Sequence, residues 1–468
     1  MNAILDKLRA EDYSTMPEEF YTYIDIWKQW YAGDVKKFHT YKIWNGRSHI
    51  CAHRYGLGMG KKVSEDWASL LLNEKVHITL EGDAEQDFVD EVFKTNNFNV
   101  KGNEMQELKA AFGTAAYVLR VTGVDVSEDG KAGKGDEIKI DYVTADKIYP
   151  LSWENGIISE CAFASELSED EYKYVYLQIH KKNNKGNYDI ENHLYTNTNG
   201  EMAEVSLGTL PQFSAIAPVV HTNSNRKQFV IDRMNIANSI DPSIPMGISV
   251  YANAIDQLKG CDIAYDGYVN EFNLGKKRIM VKPEATKDFD GNPFFDPDDI
   301  AFYMLPEDSQ SGNVVQEINM SLRSAEFNAG MQDMLNALSA KCGFGENHYK
   351  FNNGSVATAT QIVSQNSSMF RNIKKHEIIL ENVLIELCRT VLHLGNTYLG
   401  TKLNEEVEIS IDFDDSIIED KATDFARDMQ MLNMGIIQRY EFRMRWMNED
   451  EETAKKALPQ MEGLVEDI

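Results

Sequence analysis

FNNGSVATATQIVSQNSSMF, residues 351–370, decides how the chain is read. Asn353-Gly354 is a turn dipeptide, because both residues tolerate positive φ. Thr358-Ala-Thr-Gln361 fits a capping box, with Thr358 as N-cap and Gln361 reaching back. From there to Leu394 the chain holds neither proline nor glycine, and Gly395 is a natural stop. At about 1.5 Å per residue, this predicts a helix roughly 55 Å long. Its two halves differ. From Met369 onward, Phe370, Ile373, Leu380, Val383, Leu384, Leu387, Val391 and Leu394 recur every three or four positions and predict a buried stripe. The earlier half is polar and uncharged. Asn366, Ser367 and Ser368 compete for backbone hydrogen bonds there, so a bend is expected.

Charge sharpens the question of what such a helix is for. The 468 residues include 74 acidic and 47 basic ones, a net charge of −27. DNA-grasping domains are usually basic, which argues against one here. Screening confines each charge to roughly 8 Å at physiological salt, so charge has to be read locally. Between Glu346 and Glu377 there is no carboxylate, while Lys350, Arg371, Lys374 and Lys375 all occur, with His376 as a further candidate. The window suggests a surface that meets an anion; from charge alone, a subunit contact or chance remains equally open.

Around this stretch the chain is mixed α and β. EEFYTYIDIWKQWYAG places Phe20, Ile24, Trp27 and Tyr31 on one helical face, and SEDWASLLLN suggests a second helix. KVHITL and EIKIDYV alternate as strands do, and YKYVYLQIH and NYDIENHLY flank KKNNKG as a hairpin. TLPQFSAIAPVV reads as extended. Residues 247–274 carry a helical stripe through Tyr251, Ile255, Leu258, Tyr265 and Phe272. Two strand candidates, RIMVK and IAFYM, then bracket a turn-rich segment. Phe327, Met331, Leu335, Leu338 and Cys342 mark another helix, which Gly343 and Gly345 end. No proline lies between Pro306 and Pro459, so helix predominates there, interrupted by the strand-like EEVEISIDF and followed by two or three short helices.

MGKKVSEDWASLLLNEKVHITLEGD (59–83), AFGTAAYVLRV (111–121), IDYVTADKIYPLSWENGIISECAFAS (140–165) and the segment from CGFGENHYK to VLHLG (342–395) together resemble phage portal proteins, those of long-tailed phages of Gram-positive bacteria. The resemblance spans roughly residues 40 to 440 and rests on the order of several loose patterns. It implies an α+β portal fold that assembles as a dodecameric ring at one capsid vertex. The implied wing covers 1–246, with a return strand in 396–419. Stem helices would occupy 247–274 and 321–345 around a clip at 275–320. A tunnel loop at 346–357, a long kinked helix at 358–395 and crown helices at 420–468 would follow.

The implied function is a channel for double-stranded DNA, entering in packaging and leaving in ejection without sequence specificity. The ring would dock the terminase large subunit and head–tail adaptor or connector proteins, and meet scaffold and major capsid proteins. It would reside in the virion, and in the host cytoplasm before assembly. Lys350, Asn352, Asn353, Gly354, Ser355, Gln361, Arg371, Lys374 and Lys375 would face DNA. Asp288, Asp290, Asp296, Asp298 and Asp299 in DFDGNPFFDPDD would form the partner-docking tip of the clip.

Other signals point away from chemistry. GLGMGKK (56–62) is no P-loop: Tyr55 stands where the first glycine belongs and Lys62 where Ser or Thr would hold magnesium. It reads as a flexible turn. HICAH (His49, Cys51, His53) lacks a second ligand pair at zinc-site spacing. The acidic turn at 288–299 does not match an EF-hand. The five cysteines are scattered and read as reduced, mostly buried thiols. No catalytic residue, metal or cofactor is expected, and no apolar run reaches the ~18 residues that span a bilayer. The N-terminus lacks the pattern of a signal peptide. The competing readings are a non-channel scaffold protein of the virion and an ATP-driven DNA translocase, which the missing P-loop opposes.

Overall fold

The computed structural model describes residues 3–457 except 45, 128, 170–171, 199–200, 283–301, 305–314, 319, 351–358, 414–420 and 448. The chain begins with helices α1 (Ala3–Ala10) and α2 (Glu18–Ala32). Helix α2 starts behind Pro17, ends on Gly33 at φ 71°, and buries Phe20, Ile24, Trp27 and Trp30. Trp30 takes the stripe position expected of Tyr31, which is half-buried. A short α3 (Lys36–His39) leads into a hairpin, β1 (Thr40–Trp44) and β2 (His49–His53), that joins no other sheet among the described residues.

Helix α4 (Met59–Leu71) begins earlier than SEDWASLLLN predicts, because Gly58 adopts φ 69° and opens it. A Cβ on Gly60 would lie 2.5 Å from the Trp30 carbonyl oxygen. GLGMGKK is therefore a tightly packed helix entry, not a flexible turn. Strand β3 (His77–Leu80) and helices α5 (Asp83–Thr95) and α6 (Phe98–Phe112) follow, with α6 lying along α4.

Strands β4 (Thr114–Thr122) and β5 (Glu137–Thr144) pair antiparallel. The meander β6 (Ile148–Glu154), β7 (Ile157–Glu169), β8 (Tyr172–Lys182), β9 (Tyr188–Thr198) and β10 (Glu201–Val205) comes next, with β11 (Val219–His221) added to β9. The β8–β9 hairpin closes at Lys182 opposite Tyr188, as KKNNKG predicts. The TLPQFSAIAPVV segment is mostly not extended: it forms 3-10 turns at Leu207–Thr209 and Pro211–Phe213 before β11. Phe213 stacks on Tyr176 at 4.5 Å, and this satellite apolar cluster holds the turns down. Strand β12 (Phe229–Arg233) returns to β4, giving the order β12-β4-β5.

Helix α7 (Ile255–Leu274) starts well after residue 247. The Gly247 and Val250 amides donate to Thr114 and Ala110, so the start of this segment is bound to the α6–β4 junction, and only a 3-10 turn at Ala252–Ala254 precedes the helix. A three-stranded sheet follows, with β13 (Arg278–Val281) between the parallel β14 (Phe302–Met304) and the antiparallel β15 (Val315–Ile318). The third strand is not legible in the sequence pattern. Helix α8 (Ser324–Lys341) buries Met331, Leu335 and Leu338 against α7. Arg323, at its start, pairs with Glu271 near the end of α7 at 2.7 Å, so the two helices run antiparallel.

Helix α9 (Ala359–Leu394) has 36 residues and no interruption at 366–368. It does not stop at Gly395: a π-turn carries the chain to Gly400, which adopts φ 72°. Gly395 is buried because a Cβ there would meet the Phe88 ring at 2.7 Å. Strand β16 (Ile409–Asp412) pairs antiparallel with β3, Ile411 opposite Ile78. Helices α10 (Lys421–Asn433), α11 (Arg439–Met447) and α12 (Glu451–Lys456) complete the chain. The fold is thus α+β. One apolar core joins α1, α2, α4, α6 and strands β4–β8 to α9, where Leu380, Leu384, Leu387 and Val391 are fully buried.

Candidate functional site

The segment entering α9 is built around one tryptophan. At the end of α8, Gly343 (φ 93°), Gly345 (φ 87°) and Asn347 (φ 63°) take left-handed conformations and turn the chain. Trp67 of α4 donates its indole N–H to the Cys342 carbonyl at 3.1 Å, and Asn372 of α9 donates to the Gly343 carbonyl at 2.7 Å. Ser339 caps the Gly345 carbonyl at 2.5 Å, and Gln332 reaches the Tyr349 carbonyl at 2.8 Å. The Phe344 ring packs 5.0 Å from Trp67 and stacks on His348 at 4.5 Å, while Tyr349 is buried. Residues 342–349 are therefore an anchored turn. Of the loop expected at 346–357, Glu346–Tyr349 lie in this anchored turn, and Lys350 just beyond it is exposed.

Asp66 sits under this turn. Burial alone would raise its carboxyl, but the neighbouring His348, 3.7 Å away, and the hydrogen-bonded Lys62 hold it below the usual carboxylate range. His376 is not part of a cationic surface. It is buried with its ring edge against Trp67 at 4.8 Å, and its Nδ1 accepts from the Asn235 amide at 3.1 Å. Burial, with the nearby Lys109 and Lys375 charges, pushes its pKa down to about 3, so it is neutral.

The remaining cations of the window divide. On α9, Arg371, Lys374, Lys375 and Ile378 follow the spacing that shares one face, away from the side of half-buried Asn372 and buried Ile373 and His376. Arg371, Lys375 and Ile378 are exposed. Lys374 is half-buried, pairs with the buried Glu377 at 3.0 Å and lies over the Phe370 ring. Its charge is already matched within the helix. Asn352, Asn353, Gly354 and Ser355 lie outside the described residues, as do Thr358, Asp288, Asp290, Asp296, Asp298 and Asp299, and the Gln361 side chain is not described. Sequence reasoning misses Trp67, Phe344, His348 and Tyr349 as the parts that fix the turn; the aromatic spacing in FGENHY is the only local trace of them.

A family model described as phage portal protein, SPP1 Gp6-like, matches residues 12–463. The chain belongs to that family. No curated protein matches it. As a portal chain it is a component of the phage virion. No group of three or more His, Cys, Asp or Glu able to hold a metal occurs among them, although His49, Cys51 and His53 do share a strand. Four cysteines are buried, and Cys51 alone is exposed. No helix among the described residues is long and apolar enough to cross a membrane.

Proposed function

We propose that this portal chain closes into a dodecameric ring at one capsid vertex and forms the channel through which double-stranded DNA is packaged and later ejected. The portal family match over 12–463 carries this reading. The apolar surface left open in the single chain supports it. Ile263, Phe272 and Leu274 of α7 are 45–66% exposed, and Leu322 and Met320 beside α8 are similarly open, with Met434 and Ile436 between the last helices. Apolar area of that kind is covered in an assembly, here by the next copy in a head-to-tail contact that closes.

In this arrangement the antiparallel α7–α8 pair is the stem, the β13–β15 sheet and the segment between its strands the clip, and α10–α12 the crown. The clip, with Asp288, Asp290, Asp296, Asp298 and Asp299, receives the terminase large subunit and afterwards head–tail connector proteins. Scaffold and major capsid proteins meet the outer ring. Residues 350–358 and the Arg371–Lys375 face of α9 line the tunnel. Lys350, Arg371 and Lys375 supply weak, sequence-independent phosphate contact suited to sliding. Lys374 contributes less, because Glu377 already neutralises it.

Native mass spectrometry and negative-stain images of the purified chain test the ring: about twelve copies with a central hole are expected, and a monomer or dimer at micromolar concentration overturns the reading. Lys350→Glu with Lys375→Glu should leave rings intact and slow DNA packaging. Deleting about 287–297 should spare the ring and abolish motor docking.

A further inference from the structure

A second carboxylate-free window of the same length runs from Val35 to Ser64 and holds seven Lys or Arg and three His, more cations than the window around α9. It contains the β1–β2 ribbon, whose register sorts its side chains. Thr40 and His53, Lys42 and Cys51, and Trp44 and His49 share one face; Tyr41 and Ala52 with Ile43 and Ile50 share the other. Both faces are open in the chain: Trp44 is 57% and Ile43 46% exposed. The polar face continues at the ribbon's base into an open depression of about 600 Å³ lined by Asp34, Lys36, Lys37, Thr40 and His53.

Charge there is unspent. Lys36, Lys37 and Lys42 are exposed and make no ion pair with any described residue, whereas Lys61 and Lys62 are matched by Glu107 and Asp66. The single carboxylate at the depression is Asp34. The base of the ribbon is held in place. Arg54 lies 4.2 Å over Phe38 and 4.9 Å over Tyr41, and the buried His39 bonds Asp262 of α7 at 3.0 Å.

We infer that Lys36 and Lys37 of α3, with Lys42 of the adjoining ribbon face, bind the phosphodiester backbone of nucleic acid, at a place distinct from the proposed tunnel surface. Lysines without an ion pair at the base and along one face of a two-stranded ribbon, with an exposed indole at the tip, match phosphates and the flat faces of bases or sugars. A two-stranded ribbon also has the width that a major groove admits. An acidic protein surface would meet the same lysines. The apolar residues such a partner buries, Tyr41, Ile43 and Ile50, lie on the opposite face, which favours nucleic acid for this one. The inference does not depend on the tunnel assignment.

The test uses the full-length protein and a fluorescent 30-base-pair duplex, with anisotropy read from 50 to 300 mM NaCl. Lys36→Glu, Lys37→Glu and Lys42→Glu together should weaken binding on the order of 10²-fold at 0.1 M salt, and flatten the log K against log salt slope by about 2.7, three phosphate contacts' worth. The same triple change to Gln, which keeps the surface polar, should flatten the slope equally. Lys350→Glu with Arg371→Glu and Lys375→Glu is the separate arm that reports the tunnel face. Oligo-dT in parallel, with Trp44→Ala, tells whether single strands or duplex are preferred. Parent affinity and slope retained by both ribbon variants, or loss of the parent's oligomer on native mass spectrometry, would overturn the inference; the latter would make this face a contact between copies.

Discussion

The two carboxylate-free windows, Val35–Ser64 and Asn347–His376, have the same length, and each mixes matched or buried basic residues with exposed ones in a different arrangement. In the later window His376 is buried neutral, Lys374 is matched by Glu377, and the chain up to Tyr349 is pinned on Trp67. In the earlier one Lys36 and Lys37 of α3 and Lys42 of β1, beside a ribbon that joins no other sheet among the described residues, make no ion pair with any described residue. A local charge count reports which residues are present. Whether the charge is available depends on what packs beside it, and that is settled by residues far away in sequence.

The sharpest way to break this contrast is to remove the pin. Trp67→Ala deletes a fully buried indole together with its contacts to Phe344 and His376 and its hydrogen bond to Cys342. A loss of about 3–5 kcal/mol is expected from denaturant midpoints, with new protease cleavage between 343 and 350. If the midpoint hardly moves, the turn is held by something else.

Acid tests the buried histidine. The folded pKa of His376 is near 3 against an ordinary 6.5, so the unfolded chain takes up a proton that the folded one refuses. The stability this gives is complete above about pH 6.5 and drains away as pH falls toward 3. Between pH 7 and 5 it should cost about 2 kcal/mol. His180, likewise held near 3 by burial, adds a similar term. His376→Gln should flatten the melting-temperature profile across that range; an unchanged slope would show that the ring is not buried in solution.

Lys374→Gln should act on stability rather than on DNA. It strips a partner from the buried Glu377 and is expected to cost about 1–2 kcal/mol, while leaving the salt dependence of DNA binding as it was. A flattened salt slope would instead mean that Lys374 reaches phosphate. The smallest effect belongs to Asn347→Gly. At φ 63° the side chain is mildly strained, so glycine should be neutral or raise the melting point slightly, by less than about 1 kcal/mol.

Much of the fold is legible from periodicity alone: the Phe20–Ile24–Trp27 stripe, the β8–β9 hairpin and the Leu380–Val391 stripe of α9 all appear where spacing puts them. Misreadings arise where a distant partner decides. Residues 247–254 look helical, yet Gly247 approaches Gly113 so closely that a Cβ would meet its carbonyl oxygen at 2.4 Å, and helix gives way to that contact. The Asn- and Gly-rich run after Cys342 looks loose, but aromatic packing onto Trp67, some 280 positions earlier, fixes it. Of the proposed DNA-facing residues, Arg371 and Lys375 follow from sequence as exposed helix positions. Lys36, Lys37 and Lys42 are as plain in the sequence, but their exposure depends on knowing that β1 and β2 join no other sheet among the described residues.

The pairing of β3 with β16 sets a clock on synthesis. His77–Leu80 and Ile409–Asp412 are about 330 residues apart, and at 5–20 residues per second a ribosome needs roughly 15–65 s to deliver the second strand after the first. For that interval β3 leaves the ribosome without its only strand partner among the described residues, with an unpaired edge able to join the same edge of another nascent chain. Neighbouring ribosomes on one message would hold many such edges close together. Through most of its translation this protein therefore carries an open strand edge, and a slower terminal third or a chaperone holding residues 70–80 would be felt in yield before it was felt in structure.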